Sequence, residues 1–220
     1  MTSLQKVGGY AALLQGVNIA VLFVFLLVLL PGQGFPVVVP GQSHPETQQA
    51  VYPTIGPPGP SYIVVAITTL LIVLALYERL RAGAPSTIAI ATASGLVAVA
   101  LFLGGGMMGF LSGTAFARFT NTTVAGTAAV ALDQVVGGLL LGAVFAVGWW
   151  ILLTSWASLR TGALPKGLNY LGFLAGVQGI LTLLMPLIPL LAIPLLPLMW
   201  VVWLGIVLLR EPASMTAPTR

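Results

Sequence analysis

From Gly9 to Leu30 the chain runs without one charged side chain, and comparable apolar stretches return along its whole length. A run of about 20 apolar residues is what ~30 Å of hydrocarbon demands at ~1.5 Å rise per residue. Inside lipid each backbone N–H must be bonded within its own segment, so such runs are helices. Six stretches meet the condition: Gly9 to Leu30, Tyr62 to Leu80, Ser86 to Phe110, Leu132 to Leu159, Leu168 to Ile188 and Leu191 to Leu209. The expected fold is all-α, a polytopic membrane helix bundle with six transmembrane helices in a single domain over residues 1–220. Composition closes the other classes. Charged residues make up 5% of the chain and hydrophobic ones 58%, whereas a soluble domain carries roughly 25% charged residues. That excludes an ordinary soluble enzyme, a disordered tail and a nucleic-acid reader, the last for want of basic stripes. The partner implied is the lipid bilayer.

The first run exceeds the ~7–15 residues of a signal-peptide core, and no small-x-small cleavage site follows it. It reads as an uncleaved anchor. At the other end Pro186, Pro189, Pro194 and Pro197 interrupt one long apolar stretch. A tight hairpin near Leu190, with Pro194 in the first turn of the last helix, is the expected solution. A single kinked span with a re-entrant piece is the alternative. Six spans with the N-terminus inside place Lys6, Arg79, Arg81, Arg160, Lys166, Arg210 and Arg220 on the cytoplasmic side, against Arg118 outside. This positive-inside bias predicts an N-in, C-in chain.

Residues 31–61 form an outer Pro/Gly-rich loop between the first two helices, holding half of the sixteen prolines. No helix persists there. Either it is a lid anchored by residues such as Phe35 and Tyr52, or it is a semi-extended, solvated connection. An internal echo links two cytoplasmic turns: Leu80-Arg81-Ala82-Gly83-Ala84-Pro85 returns, with one insertion, as Leu159-Arg160-Thr161-Gly162-Ala163-Leu164-Pro165. Recurrent turn chemistry explains it, since Arg suits a helix C-terminus, Gly ends the helix and Pro opens the next. A duplicated helical hairpin explains it equally. Small residues recur every four positions at Gly8, Ala12, Gly16 and Ala20, at Gly138, Gly142 and Ala146, and at Gly172 and Gly176. Such stripes let membrane helices approach closely, here within the bundle or across a homodimer face. The five tryptophans lie on the fourth and sixth helices, most of them toward the cytoplasmic halves, as an aromatic belt would.

Reactive chemistry is sparse. Zero cysteines exclude disulfides, thiolate metal sites and cysteine nucleophiles. The single histidine, His44, lies in the outer loop, so Ser112 in Gly109-Phe110-Leu111-Ser112-Gly113 has no base and reads as a helix-ending residue. No His/Asp/Glu cluster suits a metal, and Gly104-Gly105-Gly106 lacks the following Lys of a phosphate loop. Neither metal nor cofactor is expected. Asn121-Thr122-Thr123 matches a glycosylation sequon, which has meaning only in a eukaryotic secretory route. Asp133 is the one acidic residue near hydrocarbon. With Arg118 it forms a candidate outer gate, or it simply favours the positive N-terminus of the fourth helix. Gln15 and Asn18 share a face of the first helix and Gln178 sits midway along the fifth. These amides either bond neighbouring helices or line a solute path. Glu78 and Arg81 suit an ordinary i,i+3 ion pair.

The segment Arg160-Thr161-Gly162-Ala163-Leu164-Pro165-Lys166-Gly167-Leu168-Asn169-Tyr170-Leu171-Gly172, and the ending Trp203-Leu204-Gly205 before Arg210, resemble a bacterial membrane-protein family catalogued as a domain of unknown function (four-three-eight-six). The resemblance covers roughly residues 135–210. It implies a multi-helix, multi-pass protein of the bacterial inner membrane and brings no activity, substrate or catalytic residue. A membrane domain with so little reactive chemistry is expected to be no enzyme but an accessory or structural subunit, working with other membrane-protein subunits or as a homo-oligomer. A small transporter or channel for an apolar or neutral solute is the alternative, and a membrane enzyme built on Asp133 and Arg118 is the third.

Overall fold

A computed structural model describes residues 3–25, 59–116, 122–184 and 195–210, and these are helical throughout apart from two short turns. Six α-helices follow one another: α1 (Ser3–Val24), α2 (Gly59–Leu80), α3 (Pro85–Phe116), α4 (Thr122–Thr161), α5 (Lys166–Leu181, extended by a 3-10 turn at Thr182–Leu184) and α6 (Leu195–Arg210). The first five are long and apolar enough to cross a membrane. The sixth, at 16 residues, is shorter and equally apolar. Five such helices in one chain make a membrane protein the reading of the fold. Residues 31–58 of the expected Pro/Gly-rich loop, and residues 185–194 with the expected hairpin near Leu190, lie outside the described residues.

Each helix packs on the next, and α6 returns to α1, so the helices close into a ring with a contact between α2 and α4. Neighbours are antiparallel. Gln5 of α1 donates to the Leu208 carbonyl of α6, and a Cβ on Gly16 would lie 2.5 Å from Val202. On the next pair, Gly167 faces Trp203 and Gly172 faces Trp200. This alternation gathers Lys6, Arg79, Arg81, Arg160, Lys166 and Arg210 at one end of the bundle, called the basic end below. The α5–α6 pair is antiparallel like the others.

Several boundaries differ from expectation, among them the start of α1, at Ser3 where Gly9 was expected. Helix α2 starts at Gly59, taking in Pro60 and Ser61 from the expected loop. Pro is preorganised for a first helical turn, and Gly59 is needed there because a Cβ would meet the Gly106 carbonyl and the Phe110 amide, both at 2.5 Å. Helix α3 runs on to Phe116, so Ser112 does not end it. Helix α4 begins at Thr122, ten residues before the expected Leu132, because nothing in Thr122-Thr123-Val124-Ala125 breaks a helix.

The ring interior near the basic end is filled. Ile72, Val73, Leu76, Ile88, Ala91, Ile151, Leu168, Leu204 and Leu208 form one buried cluster, with Trp150 and Trp200 edge to face at its centre, 5.7 Å between ring centroids. Two of the five tryptophans thus pack in the core, where an interfacial belt was expected. Their large apolar area outweighs the preference of an indole for the interface. Trp149, Trp156 and Trp203 stay exposed. Toward the opposite end a smaller cluster of Val65, Ala66, Phe102, Leu140 and Ala143 joins α2, α3 and α4.

Candidate functional site

The sequence offers its polar side chains as candidates, and the ring decides what each one meets. Gln15 and Asn18, on one face of α1, both turn toward α2. Gln15 Nε2 donates to Thr69 Oγ1 at 3.2 Å, and both residues are buried. Asn18 Nδ2 donates to the Ser61 carbonyl at 3.2 Å, while Ser61 Oγ donates back to Asn18 Oδ1 at 2.9 Å. These two reciprocal pairs, one turn apart on α1 and about two turns apart on α2, pin the helices together. Bonds of this kind between membrane helices are worth about 0.6 kcal/mol on average and up to about 1.7. Ser94 Oγ of α3 donates to the Ala146 carbonyl of α4 at 2.9 Å, a link that the sequence does not announce. Gln178 lies on α5 one turn before Thr182, which donates to its carbonyl.

Asp133 sits half-buried on α4, eleven residues beyond Thr122. That is about 16 Å along the helix, well past the first turn where the dipole acts. The helix-terminus explanation therefore falls with the earlier start of α4. Tyr62 of α2, half-buried, lies within electrostatic reach of Asp133. Arg118, its expected counter-charge, lies outside the described residues. No group of three or more metal-ligating side chains occurs among the described residues.

The glycines sort differently from their spacing. Gly138 has no described neighbour within 4 Å of an added Cβ, and Gly142 would touch only Leu101, at an ordinary 3.4 Å. The Gly138–Gly142–Ala146 stripe is therefore not where α4 meets a backbone. That contact falls on Gly148, whose Cβ would lie 2.7 Å from the Ile180 nitrogen and 2.8 Å from the Gly176 carbonyl. Gly176 answers against the Gly148 carbonyl at 2.9 Å, and Gly179 against the Gly148 Cα at 2.8 Å. Gly172 is the next turn down, where a Cβ would coincide with Ser155 Oγ and sit 2.7 Å from Trp200 Nε1. Of the expected stripes, Gly172 and Gly176 lie at a tight crossing, and so do Gly8, against Ala75, and Gly16, against Val202. Gly106, dismissed above as part of a phosphate loop, is a backbone contact for Gly59.

The two echoed turns dock on each other at the basic end. Arg79 donates through Nε and Nη2 to the Ala163 carbonyl at 3.2 and 2.7 Å, and Gly83 closes on the Thr161 methyl. Their backbones differ: Gly162 takes φ 67°, the left-handed value glycine adopts at no steric cost, whereas Gly83 does not. Beside them Arg160 lies 4.9 Å above the Trp156 ring, which meets Phe173 edge to face.

One polar patch has no described protein partner. Thr154, Ser155 and Ser158 of α4, with Asn169 of α5, are each at most 1% exposed. The three hydroxyls and Asn169 Oδ1 lack hydrogen-bond partners among the described residues, as does Trp150 Nε1. Spacing alone does not flag this patch, because Ser and Thr are common inside membrane helices. Comparison of the chain with protein-family models, curated proteins and solved structures returns no match.

Proposed function

We propose that this chain is a non-catalytic integral membrane bundle serving as an accessory or structural subunit of a membrane complex. The observation that supports it is the use of the α1 amides. Gln5, Gln15 and Asn18, side chains able to greet a solute, are bonded to α6 and α2 instead. With them the tryptophan-centred core fills the basic half of the ring. The exposed residues of α1, including Tyr10, Leu14, Val17 and Val21, form an apolar flank for lipid or for another subunit. Native mass spectrometry of the protein released from its own membrane tests the proposal. A stoichiometric complex with a second membrane protein, or with further copies of this chain, is the expected result. A lone chain that restores solute flux to liposomes would overturn it.

Six crossings with both termini in the cytoplasm complete the reading, and the gathering of basic residues at one end of the bundle supports it. Cysteines introduced at positions 44 and 121 are expected to react with an impermeant reagent from outside, and one at position 163 only from inside. Outside labelling of position 163 would reverse the orientation. Membership of the family named above, and with it a bacterial inner-membrane location, rests on the Arg160–Gly172 segment. The second reading, a small transporter or channel for a neutral solute, is favoured by one observation, the unpaired hydroxyl patch of α4.

A further inference from the structure

Trp150, Thr154 and Ser158 stand at i, i+4 and i+8 on α4, one stripe of the helix, with Ser155 beside it one turn before Ser158. The stripe faces the interior, where Thr154 and Ser158 have no measurable exposure. Helix α5 runs past it in a fixed antiparallel register. Gly148 meets Gly179, Leu152 meets Gly176 and Ser155 meets Gly172. The same register carried one turn further sets Ser158 opposite Asn169. A serine hydroxyl and an amide oxygen are natural partners, yet Ser158 Oγ and Asn169 Oδ1 bond neither each other nor any other described group. The orientation of the amide is fixed by its other atom, since Nδ2 donates to the Leu164 carbonyl at 3.3 Å.

Helical hydroxyls have an easier option, bonding the carbonyl one turn back. Thr68, Thr161 and Thr182 take it, at 2.7, 3.0 and 3.0 Å. Thr154, Ser155 and Ser158 do not. Four buried polar atoms along one stretch of the α4–α5 seam, three able both to give and to accept a hydrogen bond and one an acceptor, suit a neutral guest that does both. The patch presents no charge of its own, which disfavours an ion. It reaches about 10 Å inside the end of α4, counting seven residues from Thr161 to Thr154. The Trp150–Trp200 pair closes it on the far side, with Trp150 Nε1 as one further donor.

We propose that this patch binds ordered water, held by Thr154 Oγ1, Ser155 Oγ, Ser158 Oγ and Asn169 Oδ1, which bridges α4 to α5 below the Trp150–Trp200 pair. Buried water of this kind makes about three hydrogen bonds to groups left unsatisfied by the fold. Gly172 lets Ser155 Oγ sit against the α5 backbone, because any side chain there would displace it. The inference does not depend on the subunit reading, since water that bridges α4 to α5 holds the two helices together whether or not a solute passes through the bundle.

Water-edited solid-state NMR of the whole protein in phosphatidylethanolamine–phosphatidylglycerol bilayers tests it. Early magnetisation transfer from water to Ser155, Ser158 and the Asn169 side chain is expected to be at least threefold faster than to Ala98, an apolar residue with no measurable exposure. Transfer as slow as that to Ala98 would overturn the proposal, with the hydroxyls then bonding their own helix. Ser158→Ala supplies a second measurement. Early transfer to the Asn169 side chain is expected to fall at least twofold, with helix content unchanged. Unaltered transfer in that variant would remove Ser158 from the site and overturn the bridge.

Discussion

Helices α1 and α2 are joined mainly by side chains, helices α4 and α5 mainly by backbone. At α1–α2 the amides Gln15 and Asn18 find Thr69 and Ser61, with one tight glycine contact, Gly8 on Ala75, nearer the basic end. At α4–α5 three glycines, Gly148, Gly176 and Gly179, bring the two main chains together, and the hydroxyls of Thr154, Ser155 and Ser158 beyond them find no hydrogen-bond partner among the described residues. The difference teaches how a membrane bundle uses polarity. Where lipid removes the hydrophobic force, helices are held either by hydrogen bonds across the seam or by the dispersion that close backbone contact allows. An interface already held by glycines can leave its hydroxyls for another task.

The comparison breaks most severely at Gly148. Gly148→Leu puts four carbons where the Gly176 carbonyl and the Ile180 nitrogen stand, and flexible side chains are not there to yield. A loss of about 3 kcal/mol or more is expected, read as a large fall in Tm in detergent and loss of a monodisperse elution peak. Gly142→Leu is the contrasting case on the α3 side of the same helix. Its Cβ meets only the end of Leu101, which can move, so the expected cost is about 1 kcal/mol and a shift of a few degrees. Equal losses at the two positions would erase the distinction between the faces of α4. Gly138→Ala is the smallest effect. With open space around the added carbon and a gain in helix propensity, the expected change in thermal stability lies between zero and a rise of about 1 kcal/mol. A marked loss there would mean that this glycine is packed after all.

Much of the helical layout was legible beforehand. Apolar run length located all six helices, because the need to bond every backbone N–H in lipid leaves few alternatives. The boundaries were less so. Gly59 and Pro60 read as loop residues, and only the presence of Gly106 across the seam explains why a helix begins among them. Four-residue spacing of small side chains picked out Gly172 and Gly176 but also Gly138, since spacing reports a face and not what lies against it. Gly148 lies off that spacing, two residues past Ala146 and beside two tryptophans, and its role depends on the register of α5. The hydroxyl patch was invisible for a similar reason. Thr154, Ser155 and Ser158 have the same composition whether they bond their own helix or face inward beside Asn169. Gln15 and Asn18 were recognisable as candidates, but their choice between a neighbouring helix and a solute depends on Thr69 and Ser61, more than forty positions away.

That choice is the centre of the account, and a double-mutant cycle on Gln15→Leu and Thr69→Val, read by thermal unfolding in lipid, tests it most directly. Paired as the structure has them, the two residues are expected to show a coupling of about 0.6–1.7 kcal/mol, each single variant costing nearly as much as both together. Strictly additive losses would mean that Gln15 and Thr69 do not hold each other. The amide would then be free for a solute, and the reading of α1 as a structural helix would be contradicted.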